Sequence, residues 1–139
     1  MKQRIFIDTN IIIDLFGHRD PHYVHSAGLF SAIEKGLIDA FASSLTFANI
    51  HYILRKELGS PKAVEVLKSL RKLVAILPVD DSVIVQALDS AFNDFEDAIQ
   101  YFTALENNIP IIVTRNRKDF RTATISICTA EEFLAQFNS

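Results

Sequence analysis

Oxygen-bearing side chains recur in this chain at places where an apolar run ends or a helix begins. Asp8 follows Ile5-Phe6-Ile7 and precedes Thr9-Asn10, where a helical pattern starts. Asp94 and Asp97 stand three residues apart in Asp94-Phe95-Glu96-Asp97, so they share one helical face. Thr114-Arg115-Asn116 directly follows the apolar residues 109–113, and Asp119-Phe120 comes shortly after. Carboxylate and amide oxygens are the natural ligands of hard cations such as Mg²⁺ or Mn²⁺. Such ions activate water and neutralise charge developing on a phosphoryl group. Each residue also has a plainer reading. Asp8 and Asp94 suit helix N-caps, Asp97 suits the positive end of a helix dipole, Asn116 suits a turn, and Asp119 suits solvent.

The elements that must position these residues alternate. Residues 4–7 read as a strand and 9–16 as a helix stopping near Gly17, followed by a loop containing Asp20-Pro21. A helix runs from about Pro21 to Lys35, closed by Gly36. Residues 37–42 form a second strand, and Ser43 or Ser44 caps a helix reaching about Leu58. In Gly59-Ser60-Pro61 the glycine ends one helix, the serine caps the next and the proline takes its first position. That helix reaches about Lys72. Residues 73–77 read as a third strand, and Asp80 or Asp81 starts a helix to about Phe92. Asp94 starts another helix to about Asn107. Residues 109–113 and 124–127 are two further strands, and Thr129 caps a last helix. Five short strands separated by helices imply an α/β fold with a mostly parallel sheet covered on both faces. In such sheets ligands bind outside the carboxyl ends of the strands, where Asp8 and the 114–116 triplet lie.

The bulk numbers fit one domain over 1–139, long enough to bury a real core. Apolar residues make up 49% of the chain, with no run long enough to suggest a membrane span, and no membrane role is expected. Met1-Lys2-Gln3-Arg4 lacks the apolar region of a signal peptide. The single cysteine, Cys128, cannot form an internal disulfide, so a cytoplasmic location is the default expectation. A net charge of −3 confines any nucleic-acid contact to a local basic patch. Arg115, Arg117, Lys118 and Arg121 form the densest basic run, which reads either as a solvated loop or as a phosphate-binding rim beside the acidic residues.

Taken together, Phe6-Ile7-Asp8-Thr9-Asn10, the stretch Asp94-Phe95-Glu96-Asp97-Ala98-Ile99-Gln100 continuing to Ala104, and Ile112-Val113-Thr114-Arg115-Asn116-Arg117-Lys118-Asp119-Phe120 resemble the PIN-domain family over essentially the whole chain. The resemblance extends to its VapC-like toxin subgroup. It implies a three-layer α/β/α sandwich and a Mg²⁺- or Mn²⁺-dependent ribonuclease. Asp8 and Asp97 match the family's first and third acids and are implied metal ligands. Asp94, one turn earlier, is an implied helper. Asn116 falls where many members place a fourth Asp, Asp119 matches the acid before the closing Phe, and Thr114 matches the motif threonine. Arg115, Arg117 and Lys118 become the implied RNA contacts. The implied partners are RNA, a small antitoxin protein and a second copy of the chain. One departure stands out. Asn49 occupies the position of the family's second acid, usually a Glu, and an amide oxygen brings no charge to a cation.

Other features carry less. His18, His22 and His25 lack a fourth ligand for zinc, and with Arg19 they form a loop and helix start that could touch phosphates. His51 reads as packing or surface and Cys128 as core. Phe41, Phe47, Phe92, Phe95, Phe102 and Phe120 read mostly as core. Ile50, Ile53, Leu54, Val64, Leu67 and Leu70, flanking the Gly59 turn, form either an antitoxin groove or part of the monomer core. Two rival readings remain at this stage. One is a module of the same fold that binds RNA or a protein without cutting, motivated by Asn49 and Asn116. The other is a receiver-like signalling domain, which needs a phosphoacceptor Asp at the end of a central strand.

Overall fold

Alternation along each strand decides which of two cores a side chain joins. In the first strand Ile5 and Ile7 point into one apolar cluster and Phe6 into another. The computed structural model that shows this describes residues 2–120 and 124–138. Its elements run β1 (Gln3–Ile7), α1 (Thr9–Phe16), α2 (Tyr23–Glu34), β2 (Ile38–Ser43), α3 (Ser44–Leu58), α4 (Ser60–Leu73), β3 (Ala75–Leu77) and α5 (Asp81–Leu88). They continue with α6 (Phe95–Glu106), β4 (Ile111–Val113), a 3-10 helix (Arg117–Phe120), β5 (Ser126–Cys128) and α7 (Ala130–Phe137).

The five strands form one sheet in the order β3-β2-β1-β4-β5, and every pair is parallel. The order reverses between β1 and β4, which makes their carboxyl ends the topological switch point. Asp8 follows β1 and Thr114 follows β4, locked together by Asp8 N donating to Val113 O at 3.0 Å. On one face Ile5, Ile7, Ala40, Ala42 and Val113 pack under α1, α2, α3, α4 and α7. On the other, Phe6 and Ile112 pack with Tyr101 and Ala104 of α6 and with Phe120. The expected three-layer α/β/α architecture holds, with a sheet that is wholly rather than mostly parallel. The third strand, followed by Asp80, lies at an edge of the sheet and not at its centre.

Local chemistry sets the element ends. Ser43, Asp80, Asp94 and Thr129 each accept a backbone N–H from the first turn of the helix they precede, and Thr129 forms a reciprocal capping box with Glu132. Gly59 sits at φ +84°, a left-handed conformation that costs other residues strain. Several boundaries differ from the sequence reading. The helix expected to reach Phe92 stops at Leu88, because Ser90 folds back onto Ala87 O and Phe92 leaves to pack against the rings of Tyr101, Phe102 and Phe120. The α2 helix starts at Tyr23 rather than Pro21. Leu73 belongs to the end of α4, and β4 begins only after Pro110, which has no N–H to donate. The last strand is shifted to Ser126–Cys128, and the run after Asn116 folds as a 3-10 helix.

The phenylalanines are mostly core as expected, except Phe95, which is 46% exposed. The supposed groove around the Gly59 turn is mainly interior: Ile50, Leu54 and Leu70 are fully buried, leaving only Val64 exposed. Burial pushes the Cys128 thiol up to about 11, so it stays protonated and packs as an apolar group. Among the described residues, no helix is long and apolar enough to cross a membrane. Phe120 anchors the 3-10 helix to the sheet. Phe120→Ala is expected to cost about 3 kcal/mol or more, read as a lowered midpoint in urea denaturation.

Candidate metal centre

A carboxylate at the switch point must replace the water it loses, and Asp8 does so with two short hydrogen bonds. It is 6% exposed. Its Oδ1 accepts the Thr9 N–H at 2.8 Å and its Oδ2 accepts the Thr114 hydroxyl at 2.7 Å. Asp8 is therefore the N-cap of α1 and a member of the site at once. Thr114, itself fully buried, also accepts the Asn116 N–H at 3.1 Å, so one hydroxyl sets both the acid and the turn beyond β4.

The start of α6 faces this pair. Asp94 Oδ1 accepts the Asp97 N–H at 3.0 Å, as an N-cap does, and Asp97 projects half-buried from the first turn. The 3-10 helix brings Asp119 to the same opening. The result is a groove of about 340 Å³ whose walls include Asp8, Asp94, Asp97, Asn116 and Asp119. Asn49 does not line it. Its amide instead donates to Glu96 Oε2 at 3.4 Å, and Glu96 does line the groove. A carboxylate thus reaches the groove from α6 on the side where α3 carries only an amide.

Beneath the acids lies a buried polar layer. Gln100, one turn after Asp97, accepts from Ser43 Oγ at 2.7 Å and donates to Thr46 Oγ1 at 2.8 Å and Thr9 Oγ1 at 3.4 Å. One amide so keys α6 to the starts of α1 and α3. Sequence reasoning gave Gln100, Glu96 and Asn10 no role of their own and Arg19 only a possible phosphate contact, yet all four line the groove. Gln100 carried a usable signal, since it lies on the face of Asp97. Arg19 reads in sequence as a phosphate contact, and the fold returns its loop to the groove.

The basic run divides. Arg115 lines the groove, with its backbone N–H on Asn10 Oδ1 at 3.3 Å. Lys118 lines an adjoining hollow with Asp94, Asp97 and Asp119. Arg117 is turned away, paired with Glu132 at 2.9 Å. Arg121 lies outside the described residues. His18 stacks on Tyr23 with centroids 3.7 Å apart, His25 Nε2 lies 3.6 Å from Glu131, and His51 meets Ser60 at 3.4 Å.

Crowding shows in the acids' protonation. Burial raises the Asp8 pKa, opposed by the hydrogen bonds from Thr114 and Thr9 and reinforced by Asp119 and Asp94. Asp97 is pushed up to about 7, first by burial and then by Asp8, Asp94, Asp119 and Glu96. Among the described residues no three acidic, His or Cys groups form a ready-made metal cage. A small hard cation does not require one. Mg²⁺ keeps several waters and binds through one or two carboxylates, which Asp8 and Asp97 can supply.

Comparison with known proteins places this geometry. The PIN domain family model matches residues 4–118. The chain belongs to the PIN-domain family. Across 99% of its length it is 27% identical to Ribonuclease VapC1 of Aquifex aeolicus (strain VF5), covering 98% of that protein. In fold it is similar to VapBC-1 from nontypeable Haemophilus influenzae, with TM-score 0.69 and 17% identity over 93% of this chain and 99% of that one. It is also similar to Mycobacterium tuberculosis VapC20, described as a sarcin-ricin loop cleaving toxin. There the TM-score is 0.63 and the identity 19%, over 78% of this chain and 86% of that one.

The raised acids of this PIN domain give a pH signature. A carboxyl with a higher pKa folded than unfolded binds more protons in the fold between the two values. The Asp97 contribution to stability of the metal-free protein should therefore be lost as pH rises from about 3.8 to about 7. Thermal melts in chelator are expected to show a smaller decline over that window in Asp97→Asn. Added Mn²⁺ should restore stability to the wild type near neutral pH and release protons as it binds.

Proposed function

We propose that this PIN domain is a divalent-metal-dependent ribonuclease, hydrolysing RNA phosphodiester bonds as the toxin of a type II toxin–antitoxin pair. The observation that carries the reading is the buried, doubly hydrogen-bonded Asp8 facing Asp97 across a groove that gathers further carboxylates. Likeness along nearly the whole chain to a protein named ribonuclease VapC1 supports the activity. Solved neighbours described as VapBC complexes support a small antitoxin partner. A homodimer and a cytoplasmic location complete the proposal.

Mg²⁺ or Mn²⁺ would be held by Asp8 and Asp97, with Asp94 and Asn116 in support. When bound, such an ion supplies a Lewis acid that activates water and offsets phosphoryl charge. The chain's own residues do the rest. Thr114 fixes the orientation of Asp8. Asp97, poised near neutrality, releases its proton as the centre fills. Asp119 stands at the mouth, while Arg115 and Lys118 meet the phosphates on either side. Arg117 joins them once freed from Glu132. Asn49 acts through Glu96 rather than as a ligand.

The second reading, a module that binds without cutting, rests on the uncharged Asn49 and Asn116. Glu96 favours the first, because it returns a negative charge to the groove. The deciding experiment is cleavage of a mixed tRNA and rRNA pool with Mn²⁺ or Mg²⁺. Discrete products are expected from wild type, none with chelator, and a fall of about 100-fold or more in folded Asp8→Asn and Asp97→Asn. Equal cleavage by either variant would overturn the assignment. Thr114→Val, which releases Asp8 without removing an acid, is expected to lose about 10- to 100-fold in activity or metal affinity. Titrating Mn²⁺ against activity measures both.

A further inference from the structure

Arg115 stands on the wall shared by the acidic groove and a second cavity of about 310 Å³ between α1, α2 and the start of α7. Behind it lies Asp14 of α1, which has no exposed surface. Neither Asp14 oxygen has a hydrogen bond among the described residues, and the cation against it is Arg115, whose Nε lies 3.0 Å from Oδ2. A buried carboxylate is costly unless paired, and an apolar residue would fill the same space without that cost. Its place in the fold therefore calls for something the pair does.

The geometry of the pair supplies it. The approach is an ion pair at Nε without a hydrogen bond to either Asp14 oxygen, and no hydrogen bond from the two terminal amino groups is found among the described residues. The backbone of Arg115 is held from the same helix, by Asn10, which lies one turn before Asp14 on the same face. Root and stem of one exposed cation are both fixed from α1. His22 and Arg19 also lie near Asp14, so the buried charge is shared rather than spent on Arg115 alone.

We propose that Asp14 is a positioning residue whose charge, set against Nε, holds the Arg115 guanidinium so that its Nη fork meets a phosphodiester of RNA beside the acidic groove. This rests on the ribonuclease reading. A guanidinium fork matches two phosphate oxygens at once, whereas an ammonium cannot hold Asp14 through one nitrogen and offer a fork with two others. The strand then leaves the acidic groove across Arg115 toward the cavity lined by His22 and Ser26.

The test is binding of a short labelled single-stranded RNA to the full chain in chelator, followed by anisotropy across a salt series. Arg115→Ala is expected to weaken binding about tenfold and to reduce the salt slope by about 0.7. Arg115→Lys, at an exposed position that does not threaten the fold, should keep the slope but lose affinity. Asp14→Asn should weaken binding in wild type and add nothing to Arg115→Ala. Lysine binding as tightly as arginine, fully additive losses, or no RNA binding by wild type would each overturn the proposal. The ribonuclease reading fails instead on metal-dependent cleavage, which this measurement does not involve.

Discussion

The molecule is organised around the problem of burying the Asp8 carboxyl at the end of its central strand, where burial raises its pKa against the pull of two hydrogen bonds. A carboxylate there is expensive unless hydrogen bonds replace its water. Thr9 and Thr114 do so, and each brings its own element: Thr9 the start of α1, Thr114 the end of β4. The strand order that puts β1 beside β4 is what lets a residue distant in sequence make the shorter of these contacts. Bringing Asp94, Asp97 and Asp119 to the same place then adds repulsion. The fold tolerates it because α6 is pinned below the acids by Gln100.

Much of this could be read in the residues themselves. Asp8, Asp94 and Thr129 sit where a polar residue precedes a helical pattern, and each is the cap that position predicts. For Asp8 and Asp94 the cap reading does not exclude a ligand reading, since an ionised carboxylate has about four lone-pair sites and a cap uses one. Parallel strands were legible because apolar runs such as residues 109–113 lack a polar face.

What escaped the reading depends on tertiary contact. Phe92 continues a helical pattern in sequence, and only the rings of Tyr101 and Phe120 pull it out of line. Asn49 looked like a lost ligand because its partner Glu96 is 47 residues away and one position from the motif acid. The apolar residues of α3 and α4 suggested a groove. Spacing alone does not distinguish a surface for a partner from the surface two neighbouring helices offer each other. Arg115 and Arg117 look equivalent in the basic run, yet one lies on the groove wall paired with Asp14 behind it and the other pairs with Glu132.

The sheet's two outermost strands, β3 and β5, are each three residues long. A strand that short offers too few free amides and carbonyls to template another chain, one of the ways natural sheets avoid edge-to-edge aggregation. Growth of the sheet across a molecular boundary is therefore disfavoured at both edges. Assembly through helix faces and loops would leave the strand order, and the acidic groove it creates, complete within a single copy.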